Sequence, residues 1–286
     1  MKKIKTGFLS FFIFLIGIQT IQAQNGKAAT VKGPEKGSLV IVGGGRLSSN
    51  IIEKFIELAG GKDAPIVVIP TAAGRDSYDE NSANFLKRHG ATNVTVLHTA
   101  DPKEANTSAF VAPLKNAKGV WFGGGRQWRL VDSYKNTEAE KLFWEVLNRG
   151  GVIGGSSAGA SIQGSYLARG DTKNNQIMMG DHEVGFGFLK NVAIDQHVLA
   201  RNRQFDLFTI LKKKPELLGI GIDENTAVIV QNDKFEVLGA SYVLMYDNSF
   251  WSREGSNLKN LPEEKAQFYF LRSGDKYDLK KRKVIN

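Results

Sequence analysis

The sequence predicts an α/β protein with three layers, in which a mostly parallel sheet carries helices on both faces. Short apolar runs suited to buried strands alternate with segments whose apolar residues recur at helical spacing. Parallel strands buried on both faces give such continuous apolar runs. Glycine-rich loops end three of the runs, at residues 43–45, 123–125 and 154–155. Ligands bind at the carboxyl ends of strands in such sheets, so these loops mark the edge where a site is expected.

Each of the first five strands is predicted from an apolar run, at residues 38–42, 65–70, 93–97, 119–122 and 152–153. Helices are predicted between them where apolar residues recur every three or four positions, at 50–59, 77–89, from 101–106 onward and at 137–149. In the first helix, Ile51, Phe55 and Ile56 share one face, and two glycines follow it. Strands that alternate with helices in this way favour parallel pairing.

The second half of the chain is predicted to hold more strand than helix. Apolar segments lie at 163–167, 185–189, 192–194, 218–222 and 227–231, and one helix is predicted at 198–211. Residues 234–246 and 267–276 are predicted as antiparallel strands with a turn at 273–275. Because no repeat or low-complexity linker interrupts it, residues 37–286 are predicted to form a single domain, preceded by a small, polar linker at 24–36.

The first 23 residues have the pattern of a secretory signal peptide. Lys2, Lys3 and Lys5 form a basic start, residues 8–18 form an apolar run, and residues 21–23 resemble a cleavage site. The apolar run is short for a membrane span, although an uncleaved N-terminal anchor is the alternative. We therefore expect a secreted or periplasmic protein with no membrane contact after cleavage.

Composition excludes several kinds of chemistry. The chain of 286 residues has no cysteine, so disulfides, thiolate metal sites and cysteine nucleophiles are excluded. The formal charge is +9, and removal of three leader lysines leaves +6 (9 − 3). The densest basic runs, at 212–214 and 280–283, lack a nucleic-acid motif and are interpreted as a solvated helix end and tail. No nucleic-acid partner is expected, and a homodimer is left open.

Residues 151–164, GVIGGSSAGASIQG, contain the pattern G-x-S-x-G with Ser157 at its centre. This pattern is typical of a sharp strand-to-helix turn that exposes a nucleophilic serine above a sheet. The N-terminus of the following helix would favour an oxyanion beside that serine. The alternative is a tightly packed Gly/Ser loop or a phosphate-binding loop. A dinucleotide site is disfavoured, because Gly43–Ser48 (GGGRLS) does not match G-x-G-x-x-G. We expect no cofactor.

A nucleophilic serine needs a base, and the base needs an orienting acid. Of the four histidines, His89 and His98 are interpreted as packing or surface residues and His182 as a loop residue, whereas His197 lies at a strand end. For the acid, Asp223 and Glu224 both follow the strand at 218–222, and either is able to orient the imidazole; the alternative is that one of them caps a turn. The order Ser–His–acid differs from that of the α/β-hydrolases.

Four ordered motifs carry a family resemblance: FGGGRQ, GGSSAGA, DQH followed by Arg201 and Arg203, and GIDENTA. Over residues 37–246 the chain resembles the cyanophycinases, of the serine peptidase family S51 that also contains the aspartyl dipeptidase peptidase E. The resemblance implies a class I glutamine-amidotransferase-like α/β fold with a Ser-His-Glu triad and no metal. It implies an exopeptidase that hydrolyses aspartyl peptide bonds through an acyl-enzyme and releases β-Asp-Arg-type dipeptides.

The resemblance also assigns roles to residues. The triad would be Ser157, His197 and Glu224. The oxyanion hole would be formed by Gly124, Gly125 and Ala158. The substrate pocket would be lined by Gln127, Asp195, Gln196, Arg201 and Arg203. Two arginines suit bidentate binding of a carboxylate, and Asp195 would suit a substrate guanidinium.

Two positions depart from the family pattern. Asp206 stands where a third arginine is expected, and Arg126 stands where an acid is expected. Because both charges are reversed near the expected pocket, the predicted substrate is a peptide rich in aspartate, with cyanophycin as one candidate. An aspartyl dipeptidase, another amide hydrolase of this fold and a non-catalytic ligand-binding protein are the alternatives.

Overall fold

A computed structural model describes residues 29–247 and 268–285 of the chain. The signal peptide predicted at residues 1–23 lies outside the described residues, as do residues 24–28 of the predicted linker. Within the described ranges, no helix is both long and apolar enough to cross a lipid bilayer.

The strands are β1 (Ser38–Val42), β2 (Ile66–Ile69), β3 (Val94–Val96), β4 (Gly119–Phe122), β5 (Val152–Ser156), β6 (Gly164–Tyr166), β7 (Leu189–Gln196), β8 (Leu218–Ile222), β9 (Thr226–Gln231), β10 (Lys234–Gly239), β11 (Val243–Asp247), β12 (Phe268–Leu271), β13 (Lys276–Asp278) and β14 (Lys283–Ile285). The α-helices are α1 (Ser49–Leu58), α2 (Asn84–Lys87), α3 (Ser108–Asn116), α4 (Gln127–Tyr134), α5 (Glu138–Asn148), α6 (Ala158–Ser161) and α7 (Leu207–Leu211).

These strands form two sheets. The larger has the order β14-β13-β10-β9-β1-β5-β4-β2-β3, and the smaller has the order β12-β11-β8-β7-β6. In the larger sheet, β1, β5, β4, β2 and β3 are parallel, and the remaining strands extend it in antiparallel fashion. In the smaller sheet, β6, β7 and β8 are parallel and β11 and β12 are antiparallel to their neighbours.

Helices cover both faces of the larger sheet. Successive residues of a strand point to opposite faces, and β1 shows the result. Leu39 and Ile41 pack in a core cluster with residues of α3, α4, α5 and the smaller sheet. Val40 and Val42 pack in a second cluster with residues of α1 and α2. The predicted α/β class is confirmed, and the parallel strands lie between helices in a sheet that antiparallel strands extend, so the sheets are mixed.

Most strands lie where the apolar runs predicted them, and β1, β4 and β8 have the predicted bounds. The predicted antiparallel strands near the C-terminus are also observed as β10 to β13, with a turn between β12 and β13. Residues 248–267, which connect β11 to β12, lie outside the described residues. The sequence did not predict that these strands divide between two sheets.

The helix predicted at 198–211 is wrong over most of its length, since only α7 is helical there. His197 and Asn202 have positive φ values of 56° and 53°, which interrupt any helix through them. Asp223 also accepts hydrogen bonds from the N–H groups of residues 199 and 200. These are amides that the first turn of a helix would leave unpaired in any case, so it is the left-handed conformation of Asn202 that ends the turn and makes residues 198–206 a turn-rich connection.

The other helix errors are smaller. The helix predicted at 77–89 is reduced to a 3₁₀ turn at Glu80–Ala83 and to α2, and Asp79 caps the turn by accepting from the N–H of Asn81. The helix predicted from 101 is a 3₁₀ turn at Glu104–Asn106, after which α3 begins. The polar sequence of α4 was not predicted as a helix.

Candidate active site

The predicted serine turn lies at the carboxyl edge of the larger sheet. Ser157 stands between β5 and α6 with φ 58° and ψ −111°, a conformation that is strained for a residue with a side chain. Its N–H donates to the carbonyl of Val42 at 3.0 Å, which ties the turn to the end of β1. A Cβ on Gly155 would lie 2.2 Å from the carbonyl oxygen of Gly159, so the turn is tight enough to require glycine there.

The smaller sheet brings a histidine and a glutamate to the same serine. The Oγ of Ser157 lies 2.8 Å from Nε2 of His197, and Nδ1 of His197 lies 2.5 Å from Oε1 of Glu224. His197 directly follows β7 and Glu224 lies just beyond β8, and these neighbouring parallel strands end at the same edge. Such a chain is able to take a proton from a serine hydroxyl and to hold the imidazole in one tautomer.

The structure distinguishes Asp223 from Glu224, the two acids that the sequence left as alternatives for contact with the imidazole. Asp223 turns away from the imidazole and accepts from the N–H groups of Leu199 and Ala200 at 3.0 and 2.9 Å. It also accepts from the hydroxyl of Ser241 at 2.6 Å. Burial alone would raise the pKa of Asp223, but these hydrogen bonds lower it. Asp223 therefore caps the connection after His197 and not a turn with Asn225 and Thr226, and Glu224 contacts the histidine.

His197 is only 4% exposed, and its environment favours the neutral ring. Burial lowers the pKa of its imidazole, and the positive charges of Arg201 and Arg203 lower it further. The hydrogen bond and charge of Glu224 act in the opposite direction without reversing the shift. Because its pKa lies below the ordinary value of histidine, His197 stays neutral to lower pH, and the neutral imidazole is the form able to accept a proton.

Backbone donors are available beside the serine. A Cβ on Gly124 would lie 3.4 Å from the Cβ of Ser157, so this glycine backbone lies against the serine. The N–H groups of Gly124, Gly125 and Ala158 donate to no other residue in the part of the chain that the structure describes. Unpaired N–H groups near a nucleophile are the donors that an oxyanion requires.

Three of the expected pocket residues are buried and bond to other residues of the protein. Gln127 is buried at the start of α4, and its Nε2 donates to the carbonyl of Ala168 at 2.6 Å. Gln196 is buried as well, and its Oε1 accepts from the guanidinium of Arg203 at 3.0 Å. Arg203 also donates to the Gln196 carbonyl, so both its observed partners are neutral.

Arg201 differs from the other expected pocket residues because it is exposed. Its guanidinium contacts no acidic side chain among the residues that the structure describes, yet its charge reaches His197. The charges of Asp195 and Asp206 act on Arg203, whereas the guanidinium of Arg201 is exposed and suits an anionic ligand.

Asp195 requires a correction. We expected its carboxylate to face a substrate guanidinium, but it is fully buried and binds Arg169 instead. Asp195 Oδ1 lies 2.7 Å from Nε of Arg169, and Oδ2 lies 3.0 Å from a terminal nitrogen. Arg169 is not among the site residues predicted from the sequence. Its signal was one arginine in the otherwise apolar and small stretch 166–170 (YLARG), because a charge in such a stretch needs a buried partner.

The two departures from the family pattern both have partners. Asp206 Oδ2 lies 2.5 Å from the same guanidinium of Arg169. Arg126 donates to the carbonyl of Asp171, which joins the glycine loop after β4 to residues 168–176. Both reversed charges, at Asp206 and Arg126, therefore bind groups of the protein itself.

The other three histidines lie outside the triad. His98 bonds to the hydroxyl of Thr71 at 2.8 Å, and His89 bonds to the carbonyl of Phe85 at 2.7 Å near the end of α2. His182 bonds to Asp132 and Asp181. The described residues contain no group of three or more histidine, aspartate or glutamate side chains placed to hold a metal ion.

A strained serine at a strand-to-helix turn, joined through histidine to glutamate on an α/β scaffold, is typical of serine hydrolases. Comparison with known families gives the particular assignment. The model of peptidase family S51 matches residues 39–238, and the chain belongs to this family. It is therefore a peptidase, as the sequence predicted.

Among the curated relatives, the chain is similar to a cyanophycinase of Geminocystis herdmanii. The two are 28% identical over 259 residues, which covers 86% of this chain and 94% of the relative. A cyanophycinase of Synechococcus elongatus is 29% identical over 266 residues, with 87% and 81% covered.

Two solved structures are also similar. A peptidase from an acI-B1 actinobacterium has a TM-score of 0.61 and 26% identity, and covers 86% of this chain and 98% of its own. A putative peptidase E from Listeria monocytogenes has a TM-score of 0.52 and 17% identity, covering 72% and 99%, and supports the fold alone. The glutamine-amidotransferase-like α/β fold that the resemblance implied is confirmed.

Proposed function

We propose that this S51 peptidase works through Ser157 as nucleophile, His197 as general base and Glu224 as the acid that orients the imidazole. The observation that carries the proposal is the hydrogen-bonded chain from Ser157 Oγ to His197 Nε2 and from His197 Nδ1 to Glu224, at 2.8 and 2.5 Å. The strained backbone of Ser157 supports it, since strain of this kind is typical of functional sites.

The reaction follows from this geometry. Ser157 Oγ attacks the peptide carbonyl while His197 Nε2 takes its proton, and the carbonyl oxygen becomes an oxyanion. The N–H groups of Gly124, Gly125 and Ala158 are the proposed donors to that oxygen. The imidazolium then gives its proton to the leaving amine, and an acyl-enzyme remains on Ser157. Water then attacks the acyl carbon while the same imidazole takes one of its protons; the bond from that carbon to Ser157 Oγ breaks, the acid leaves, and the imidazolium returns the proton to Oγ.

For the substrate we propose an aspartyl peptide, with release of small aspartate-containing products from a chain end. Support comes from the relatives named cyanophycinase and from the cations of Arg201 and Arg203 beside the triad. A guanidinium fork binds a carboxylate through two parallel hydrogen bonds. Asp195 already binds Arg169 and is not available for a substrate guanidinium. We therefore propose that the site recognises an aspartate side chain of the substrate, and not an arginine.

The test is substitution of the serine in the purified protein. Ser157→Ala is expected to lower kcat by ~10³–10⁶-fold with unchanged thermal unfolding, and to abolish covalent labelling by a fluorophosphonate probe. An active or labelled Ser157→Ala protein would contradict the assignment. Mass analysis of products from a panel of cyanophycin, aspartyl dipeptides and aspartate-free peptides then defines the substrate. Cleavage of the aspartate-free peptides alone would reject the substrate proposal.

We also propose export, with residues 1–23 as a cleaved leader. The basic start and short apolar run support this proposal. Expression with the native N-terminus, followed by fractionation and N-terminal sequencing, is expected to give mature protein that begins near residue 24. Full-length protein retained with membranes would favour the uncleaved anchor instead.

A further inference from the structure

Arg169 forms a buried charge network next to the triad but does not touch its atoms. The side chain is 1% exposed. Its Nε and one terminal nitrogen bind the two oxygens of Asp195, and that same terminal nitrogen binds Asp206 at 2.5 Å. Its other terminal nitrogen donates to the carbonyl of Asn175 at 2.8 Å. One guanidinium therefore joins three separate parts of the chain.

The two acids bound by Arg169 lie at the two ends of the segment that carries the site. Asp195 is next to last in β7, and Asp206 directly precedes α7. Between them lie His197, Arg201 and Arg203. This connection is a series of turns with no regular helix. Backbone hydrogen bonds such as those from Arg201 to His197 and from Asp206 to Arg203 close its single turns, but none of those in the described residues joins Asp195 to Asp206. Arg169 closes it by holding both ends with one rigid, planar group.

The backbone angles support a functional reason for this arrangement. Among the described residues, positive φ values at residues other than glycine and asparagine occur at Ser157, Arg169, His197 and Arg282. Two of these are the serine and histidine of the triad, and a third is Arg169, at 60°. Non-glycine residues keep such a conformation only where the surrounding contacts enforce it. The strained positions thus include the nucleophile, the base and the residue that fixes the segment carrying the base.

The charges make the network sensitive to loss of its cation. Burial alone would lower the pKa of Arg169, but the two carboxylates raise it, so the guanidinium stays charged. Without it, a fully buried Asp195 and a partly exposed Asp206 would lose their counter-ion. Uncompensated buried charge forces local rearrangement, and the adjoining residue is Gln196, whose N–H bonds to Asp195 immediately before His197.

We propose that Arg169 is a positioning residue, which clamps both ends of residues 195–206 and so holds His197 within hydrogen-bonding reach of Ser157. The same clamp sets the direction of Arg201 and Arg203. The proposal rests on the proposed function only in taking Ser157 and His197 as the reacting pair. It adds a residue that contacts neither the reacting atoms nor, in this structure, the open surface.

Three variants separate the elements of the clamp. Arg169→Lys keeps the cation and loses the planar fork, Arg169→Met loses both, and Asp206→Asn loses one carboxylate from the less buried end. Arg149→Met is the matched control, because Arg149 also joins two elements, donating to the carbonyls of Leu114 and Ala117 near the amino end of β5. Arg149 has no place in the site.

The first measurement is the rate of Ser157 labelling by a fluorophosphonate probe, at several pH values, alongside thermal unfolding. Small displacements of a catalytic group cost up to ~10²-fold in rate. We expect Arg169→Met to label at least ~10-fold more slowly than Arg149→Met, and Asp206→Asn to be slowed less. Arg169→Lys is expected to recover thermal stability more fully than it recovers the labelling rate, because charge is restored without geometry.

The second measurement does not need activity. The imidazole of His197 is titrated by NMR in each variant, and its apparent pKa is expected to rise in Arg169→Met, because two nearby carboxylates lose their cation. If wild-type protein is not labelled, the proposed function fails, and this titration still decides the clamp. Folded Arg169→Met protein with wild-type labelling and titration would overturn it. Should Arg169→Met fail to fold, Asp206→Asn decides, and wild-type behaviour of that variant overturns the clamp.

Discussion

The imidazole of His197 packs directly against the backbone of Gly44: a Cβ on this glycine would lie 2.2 Å from Cε1 and 2.5 Å from Nε2 of the ring. The contact continues along the same loop, where the N–H of His197 donates to the carbonyl of Gly43 at 2.9 Å. A Cβ on Gly45 would lie 2.6 Å from Oε2 of Glu224. The glycine loop after β1 therefore forms the wall that holds the histidine and the glutamate toward Ser157.

This contact predicts that Gly44→Ala inactivates the enzyme. The added methyl group would occupy the place of the imidazole, and displacement of a general base by about 1 Å costs ~10²-fold in kcat. Because Gly44 also has φ +119°, some loss of stability is expected from backbone strain alone.

Gly61→Ala is the control for that strain, since Gly61 has φ +103° and no atom within 4 Å of an added Cβ. We expect both variants to lose thermal stability and only Gly44→Ala to lose activity. Equal kcat values in the two variants would show that the wall is not needed.

The second prediction compares two neighbouring acids. Glu224 contacts the imidazole of His197, whereas Asp223 accepts hydrogen bonds from two backbone N–H groups and a serine hydroxyl. Glu224→Gln is expected to lower kcat by ~10²–10⁴-fold, as removal of the orienting acid does in other triads, with little change in thermal unfolding. Asp223→Asn is expected to keep more activity and to lose about 1–3 kcal/mol of stability, since three donors then face a neutral amide. The opposite result would move the orienting role to Asp223.

The pH dependence of kcat/KM gives a third prediction. The base acts when neutral, so activity falls as pH drops through its pKa. Burial and the two arginines lower that pKa from 6.5, and the acid limb is therefore expected below pH 6.5. Arg201→Gln removes one of these cations and is expected to move the limb upward.

Lys103→Gln is the control, because it removes an exposed cation that is not among the charges acting on His197. The shift of the limb is read separately from any rise in KM, which would report the proposed contact of Arg201 with a substrate carboxylate. An acid limb that stays in place in Arg201→Gln would show that this cation does not tune the base.

The sequence predicted what depends on short-range pattern. Continuous apolar runs placed the strands, and glycine-rich loops located the edge at which Ser157 lies. Family resemblance supplied the pairing of His197 with Glu224, which spacing alone left open between two acids. His197 and Glu224 follow Ser157 by 40 and 67 positions in the sequence. They come together at the serine only because β7 and β8 are neighbours in a second sheet, and no local sequence pattern encodes that pairing.

Long-range compensation was the part that could not be predicted. The charge of Asp195 suggested a ligand, but a buried carboxylate binds whichever cation the fold supplies, and Arg169 lies 26 residues earlier. The helix expected at 198–211 failed for a different reason. Asn202 has a φ of 53°, and one residue in this left-handed conformation interrupts the helix although the apolar spacing continues past it.

His182 gives the last prediction, which concerns stability. Its ring bonds to Asp132 on α4 at 2.8 Å and to Asp181 at 2.9 Å, and the ring of Trp128 lies 6.2 Å away. Burial alone would lower the pKa of His182, but the hydrogen bonds and charges of the two aspartates raise it above 6.5. The charged ring therefore joins α4 to the connection between β6 and β7, in which His182 lies.

A histidine whose pKa is raised on folding stabilises the protein fully below its unfolded pKa, and this contribution is lost as pH rises through the folded pKa. His182→Gln is thus expected to lower the unfolding temperature at pH 5.5 and much less at pH 8.5. Exposed ion pairs contribute no more than about 1 kcal/mol, so the shift should not exceed about 2–4 °C.

His98→Gln is the comparison of opposite sign. Burial lowers the pKa of His98, so its contribution is present above the unfolded pKa and is lost as pH falls. Relative to the wild-type protein, the two variants should therefore lose stability at opposite ends of the pH range in calorimetric scans under the same buffer conditions. Equal losses of His182→Gln at pH 5.5 and 8.5 would mean that neutral hydrogen bonds hold the loop, with no contribution from the imidazolium charge.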